Sequence, residues 1–193
     1  MATIRNLTTN DKDKVREICT NTANNVSSPK DQQLNWLLYC DYYVDNNCDT
    51  SFVAVDDNDE AIGYVFCAPD YKAYELSYRA NYLKTLTELS PWQSLQKTAM
   101  LLLERMLSKK ASAHLHINIQ PDWQRKGIGH QLMDALVTKL ASLNIPNAYL
   151  IVDSKNQRSI NFYEKYGFTK LRKVATGIQY ILNIFNKNKQ LTE

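Results

Sequence analysis

Leu115-His116-Ile117-Asn118-Ile119 alternates apolar and polar residues, the period of a half-buried strand. Pro121 and Asp122 interrupt it with turn chemistry. Beyond them Ile128, Leu132, Leu136, Leu140 and Leu143 recur at helical spacing, while Gln131, Asp134, Thr138 and Lys139 take the other face. The pattern predicts a strand, a loop and an amphipathic helix. Elsewhere it predicts a strand near residues 3 to 6, a helix over about 9 to 23, and a second helix behind Ser28-Pro29 carrying Leu34, Trp36, Leu37 and Leu38. Residues 51 to 55 and 61 to 67 read as a strand hairpin around Asp56-Asp57-Asn58-Asp59. An apolar run over 148 to 152 precedes a short helix that Asn156 is placed to cap and Gly167 to end. Phe168 begins another strand, a final hairpin turns near Gly177, and residues 186 to 193 look like a loose, solvated tail. Mixed elements of this kind imply an α/β domain with a central, mostly antiparallel sheet flanked by helices.

Some forty residues between Ala68 and Ala113 stand apart as a helical insertion, about 70 to 112. Residues 74 to 89 and 92 to 107 both have helical character, and Ser90-Pro91 between them is a helix start. Its aromatics, Tyr71, Tyr74, Tyr78, Tyr82 and Trp92, are expected to pack the insertion onto the domain rather than line an acceptor pocket, because aromatics at helical spacing usually bury. The insertion and the final hairpin are each candidate interfaces, so a homodimer is open.

Length changes the picture little: 193 residues suit a single domain, residues 1 to 193, with a real core. A hydrophobic share of 44% and a charged share of 22% are ordinary for a globular chain. The net charge of +3 is spread along the sequence, so no nucleic-acid footprint is expected. Met1-Ala2-Thr3-Ile4-Arg5 lacks the apolar core of a signal peptide, and no apolar run is long enough to span a bilayer. A cytoplasmic protein without membrane association is expected. Cys19, Cys40, Cys48 and Cys67 form no Cys-x-x-Cys pair and read as free thiols, and no metal site is expected from them and the three histidines.

Chemistry concentrates at Gln124-Arg125-Lys126-Gly127-Ile128-Gly129. A helix start leaves amides unpaired and carries partial positive charge, which suits a diphosphate. Gly127 and Gly129 are expected to let it approach closely, and Arg125 and Lys126 add charge. No Gly-Lys-Ser/Thr follows, and Leu132 stands where a dinucleotide fingerprint needs its third glycine, so both nucleotide loops are excluded.

A second motif follows: Asn156-Gln157-Arg158-Ser159-Ile160-Asn161-Phe162-Tyr163-Glu164-Lys165-Tyr166-Gly167-Phe168. Together, Gln-x-x-Gly-x-Gly and Asn-x-x-Ser-x-x-Phe-Tyr-x-x-x-Gly-Phe resemble the paired signature of the GNAT superfamily of acetyl-CoA-dependent N-acetyltransferases, from about residue 114 to 174. Gly63-Tyr64 and Cys67-Ala68-Pro69-Asp70 resemble, more finely, the acetyltransferase-like domain of some O-GlcNAcases and its stand-alone bacterial relatives. The superfamily resemblance implies a sheet splayed between its fourth and fifth strands, with acetyl-CoA as co-substrate inserted there. It implies that the amides from Arg125 to His130 hold the diphosphate, and that the main chain of Ile117, Asn118 and Ile119 pairs with the pantetheine arm. A free amide, at Ile119, would polarise the thioester. Asn156, with Ser159 and Phe162 of the same motif, would face the arm from the other side, and Tyr163 would protonate the leaving thiolate.

The base is open. His114, His116 and Asn118 share a strand face. His116 is a candidate beside Asp70, Glu75 and Asp153, and no dedicated base is strictly required. The expected activity is N-acetyl transfer to a primary amine of a small molecule or protein. The alternative is a non-catalytic acetyl-CoA-binding or interaction module.

Overall fold

A computed structural model describes residues 2–24 and 26–193, and Met1 of the opening pentapeptide lies outside them. The chain opens with β1 (Thr3–Asn6), α1 (Lys12–Asn21), α2 (Pro29–Tyr39) and α3 (Asp41–Asn46), followed by the hairpin β2 (Phe52–Val55) and β3 (Ala61–Ala68). The insertion holds α4 (Tyr71–Asn81), α5 (Leu83–Leu89) and α6 (Pro91–Leu107). Then come β4 (Ala113–Ile119), α7 (Ile128–Ser142), β5 (Asn147–Asp153), α8 (Gln157–Tyr166), β6 (Thr169–Val174), β7 (Gly177–Asn183) and α9 (Ile184–Thr192).

Among the described residues, seven strands join one sheet in the order β1-β2-β3-β4-β5-β7-β6, antiparallel except for β4 and β5. That parallel pair holds only through Ala113↔Ala148 and His114↔Tyr149. Beyond it the two strands diverge, which is the expected splay. Side chains alternate across the sheet and feed two cores. On one face Val65, Cys67 and Leu115 pack under Leu132, Leu136 and Leu140 of α7. On the other Tyr64, Phe66 and Ala68 meet Val15 and Ile18 of α1, Tyr43 of α3, and Tyr71, Tyr74 and Tyr78 of the insertion. Tyr64 stacks on Phe66 at 3.9 Å and Tyr43 on Phe66 at 5.3 Å, contacts worth ~0.5–1.5 kcal/mol beyond their buried area.

The helix starts follow local chemistry. Ser28 and Asp31 form a reciprocal capping box at α2, with Pro29 in the first turn. Ser90 Oγ accepts from the Gln93 amide at α6, and Asn156 Oδ1 accepts from the Ser159 amide at α8. Gly167, at φ 117°, closes α8 in the left-handed region.

Five expectations need correction. The first helix starts only at Lys12, because the Thr8–Asp11 capping box diverts residues 9 to 11 into a separate turn. The insertion breaks into three helices rather than two, and only four of its five aromatics are buried, Trp92 standing in solvent. Leu143 ends α7 on an exposed site instead of packing in its stripe. The tail is helical, not loose: Asn183 caps α9, Ile184 is buried, its amide donates to Pro146, and the Lys187 ammonium lies 4.4 Å from the Tyr166 ring centre. Among the described residues no helix is long and apolar enough to cross a membrane.

Candidate active site

Where β4 and β5 part, a cleft of about 760 Å³ opens. Ile117 and Ile119 form one bank; Asn156, Ser159, Phe162 and Tyr163 form the other; Gln124, Arg125, Gly127, Gly129 and His130 close one end. The Gln120 amide donates to Ile62, on the β3 side. Main-chain groups alternate along a strand, so the amides of Ile117 and Ile119 point away from β3, into the gap. The Ile119 carbonyl confirms the direction by accepting from Gln124 Nε2 at 2.7 Å. Asn118 is the exception to the expected trio: its main chain belongs to the β3 ladder, and its side chain donates to Tyr64 Oη on the other face.

The loop ends in two left-handed residues, Arg125 at φ 64° and Gly127 at φ 82°. Among the described residues, the amides of residues 125 to 129 donate no hydrogen bond; the first engaged amide is that of His130, which donates to the Gly127 carbonyl at 3.1 Å. His130 therefore presents its ring, not its amide, packed against Phe162 and Tyr166. A side chain at Gly127 would meet open space, but one at Gly129 would lie 3.0 Å from the Phe162 ring. Gly129 thus seats Phe162, and only Gly127 leaves room beside the exposed amides. Lys126 lies over the Trp123 ring at 4.7 Å and does not line the cleft.

Tyr163 packs against Phe162 and Phe168, and its hydroxyl has no hydrogen-bond partner among the described residues. Burial raises the phenol above its ordinary pKa, so the group keeps its proton.

A smaller cavity of about 290 Å³ adjoins the cleft, sharing Thr22 and Asn118, and is lined further by Cys19, Asn35, Tyr39, Tyr64 and His116. His114 and His116 do share the predicted face, ring centres 4.7 Å apart. His116 is held well below the ordinary histidine pKa by burial first, then by His114 and Lys97. The ring is neutral and a weak base. His114 is lowered to about 3, chiefly by burial, and its Nδ1 lies 3.1 Å from the Tyr43 hydroxyl.

The other base candidates line neither cavity. Asp70 caps α4, Glu75 pairs with Arg79, and Asp153 accepts from the Lys155 amide.

The sequence reading missed Arg158 and Lys165, two cations on the cleft wall. They flank Phe162 at i, i+4 and i+7 on α8, a spacing visible in the sequence. It also missed Asn21 and Thr22, which only the folding of α1 across the sheet brings to the cleft.

The whole architecture recurs in solved structures. SsHAT is 25% identical with a TM-score of 0.82, covering 95% of this chain and 98% of that one. The PaiA N-acetyltransferase of Thermoplasma acidophilum, solved in complex with coenzyme A, is 14% identical with a TM-score of 0.61, covering 95% and 99%. Among curated proteins, the [ribosomal protein bS18]-alanine N-acetyltransferase of Salmonella typhimurium is 33% identical over 55 residues, 28% of this chain and 37% of that enzyme. The chain spans well under half the length of the curated relatives it matches. The model of the acetyltransferase (GNAT) family matches residues 13–168, and the chain belongs to that family.

Proposed function

We propose that this chain transfers an acetyl group from acetyl-CoA to a primary amine of a small molecule or protein, in one direct step. One observation carries the reading: Arg125, Gly127 and Gly129, whose amides are unpaired, and Tyr163, whose hydroxyl has no partner, among the described residues, line the same cleft. The residues fit a polyanionic, amide-bearing co-substrate. The start of the fifteen-residue α7, with Arg125, Arg158 and Lys165 around it, suits a diphosphate. The main-chain groups of Ile117 and Ile119 suit the amides of the pantetheine arm. Bound acetyl-CoA supplies the activated acyl carbon.

The chain's own groups then have distinct tasks. The Ile119 amide polarises the thioester carbonyl. As the C–N bond forms and the C–S bond breaks, the Tyr163 phenol gives its proton to the departing thiolate, and the surplus proton on the newly acylated nitrogen passes through solvent to the Tyr163 phenolate, restoring the phenol. The amine enters from the smaller cavity in its neutral form, having released its proton to solvent. His116, a weak base, accepts a hydrogen bond from the amine N–H and orients it without storing its proton. The Salmonella relative, named for acetylating an alanine, and the coenzyme A complex of the Thermoplasma neighbour point the same way.

Calorimetric titration with acetyl-CoA, followed by thiol release against a panel of monoamines, polyamines and peptides, tests the proposal. Binding with amine-dependent release is expected. Absence of binding would overturn the assignment of the loop, and binding without release across the panel would favour the non-catalytic module.

A further inference from the structure

Helix α6 carries its side chains the unusual way round. Its inner face buries Ser94, Leu101 and Glu104, while its outer face exposes Trp92 (67%), Leu95 (61%), Leu102 (52%) and Met106 (66%), with Ala99 exposed in their midst. Single exposed apolar side chains are ordinary, but a contiguous stripe marks a contact surface. Positions 92, 95, 99, 102 and 106 step by three and four, the spacing of a helix-pairing seam.

The stripe also says what covers it. Read in either direction it runs large, large, small, large, large about Ala99. A second copy of such a helix matches it in register, and the antiparallel arrangement, with a two-fold axis at Ala99, is the one that keeps the two Arg105 charges apart. Trp92 then meets Met106 of the second copy, a sulfur–aromatic contact, and Leu95 meets Leu102. The small Ala99 lets the axes approach to ~8 Å. Flanking positions Gln96, Thr98 and Leu103 are uncharged. Arg105 is the charged flank; antiparallel packing places the two copies' Arg105 at opposite ends, each beside a Trp92 ring. At on the order of 100 Å² each, the four large side chains bring ~400 Å² per copy, about half of a standard ~800 Å² face. The exposed flanks of this seventeen-residue helix, ~25 Å long, add to it.

We propose that the outer face of α6 is the seat of a symmetric, antiparallel dimer of this chain. Sedimentation velocity of the full chain, from low to high micromolar concentration, should show a species of twice the 22.3 kDa chain mass. Replacing both Leu95 and Leu102 with Glu should leave only the single-chain mass, with circular dichroism unchanged because both sites are solvent-facing in the single chain. Under oxidation Ala99→Cys should cross-link to itself, with the parent chain and its four cysteines as control. Trp92→Cys should cross-link only when mixed with Met106→Cys. A single-chain mass at every concentration, a dimer that survives the double Glu change, or self-cross-linking of Trp92→Cys without that of Ala99→Cys would each overturn the proposal.

Discussion

At the scale of single residues, burial acts on Tyr163 and His116 in chemically opposite ways. It raises the phenol and so preserves a proton to donate, and it lowers the imidazole and so removes its capacity to keep one. One physical cause leaves Tyr163 a protonated phenol and makes His116 a weaker base. Tyr163→Phe should lower kcat by about 10²–10⁴-fold, the usual worth of a positioned acid, while acetyl-CoA affinity stays nearly unchanged. Turnover and calorimetry on one preparation would decide, and equal losses in both would mean the ring only packs. His116→Asn should raise the amine KM without moving the pH–rate profile. A shift of the acid limb would restore His116 as the titrating base.

At the scale of elements, the β4–loop–α7 unit separates two glycines that look alike in the sequence. Gly127 needs a left-handed backbone but faces open space, whereas Gly129 sits against Phe162. Gly127→Val should keep the fold at a cost of ~1–2 kcal/mol of backbone strain and abolish acetyl-CoA binding. Gly129→Ala should push the Phe162 ring and cost ~1–3 kcal/mol from overpacking. Thermal melts beside calorimetry would test the ranking; intact binding in Gly127→Val would remove the phosphate-loop assignment. Capped and periodic elements were legible beforehand: α2, α6 and α8 each announce their first turn with Ser28, Ser90 or Asn156. The break between α4 and α5 carries no Gly or Pro, and α9 reads as polar because one buried residue, Ile184, anchors it. Both depend on packing partners remote in the chain.

For the whole molecule, the second core places ionisable groups where charge is costly. His114, at about 3 against ~6.5 in an unfolded chain, binds its proton in the unfolded state first. Its contribution to stability is intact above ~6.5 and declines as pH falls toward 3, by up to ~1.4 kcal/mol per unit. His116 acts in the same sense. Glu104, buried beside His114 and Tyr149 with its pKa raised by burial, acts in the opposite sense, since a protonated carboxyl suits the fold. Two histidines against one carboxylate leave stability falling as pH drops below neutral. Urea unfolding between neutral pH and ~4.5 should show that slope, and His114→Phe should flatten it. A flat profile in the parent chain would mean that the pair is not buried uncharged.

The order of the strands, the phosphate-suited loop, the capped start of α8 and the family itself follow from the sequence, because period, capping and glycine conformation are local properties that neighbouring residues decide. The tertiary structure decided the rest. It turned the amides of Ile117 and Ile119 into the gap and that of Asn118 away. It gave Gly129 to Phe162, brought Asn21 and Thr22 to the cleft, set the pKa of His116, and left the apolar side of α6 in solvent. Each of these depends on which surface a residue meets across the fold, and that is a matter of distance in space rather than along the chain.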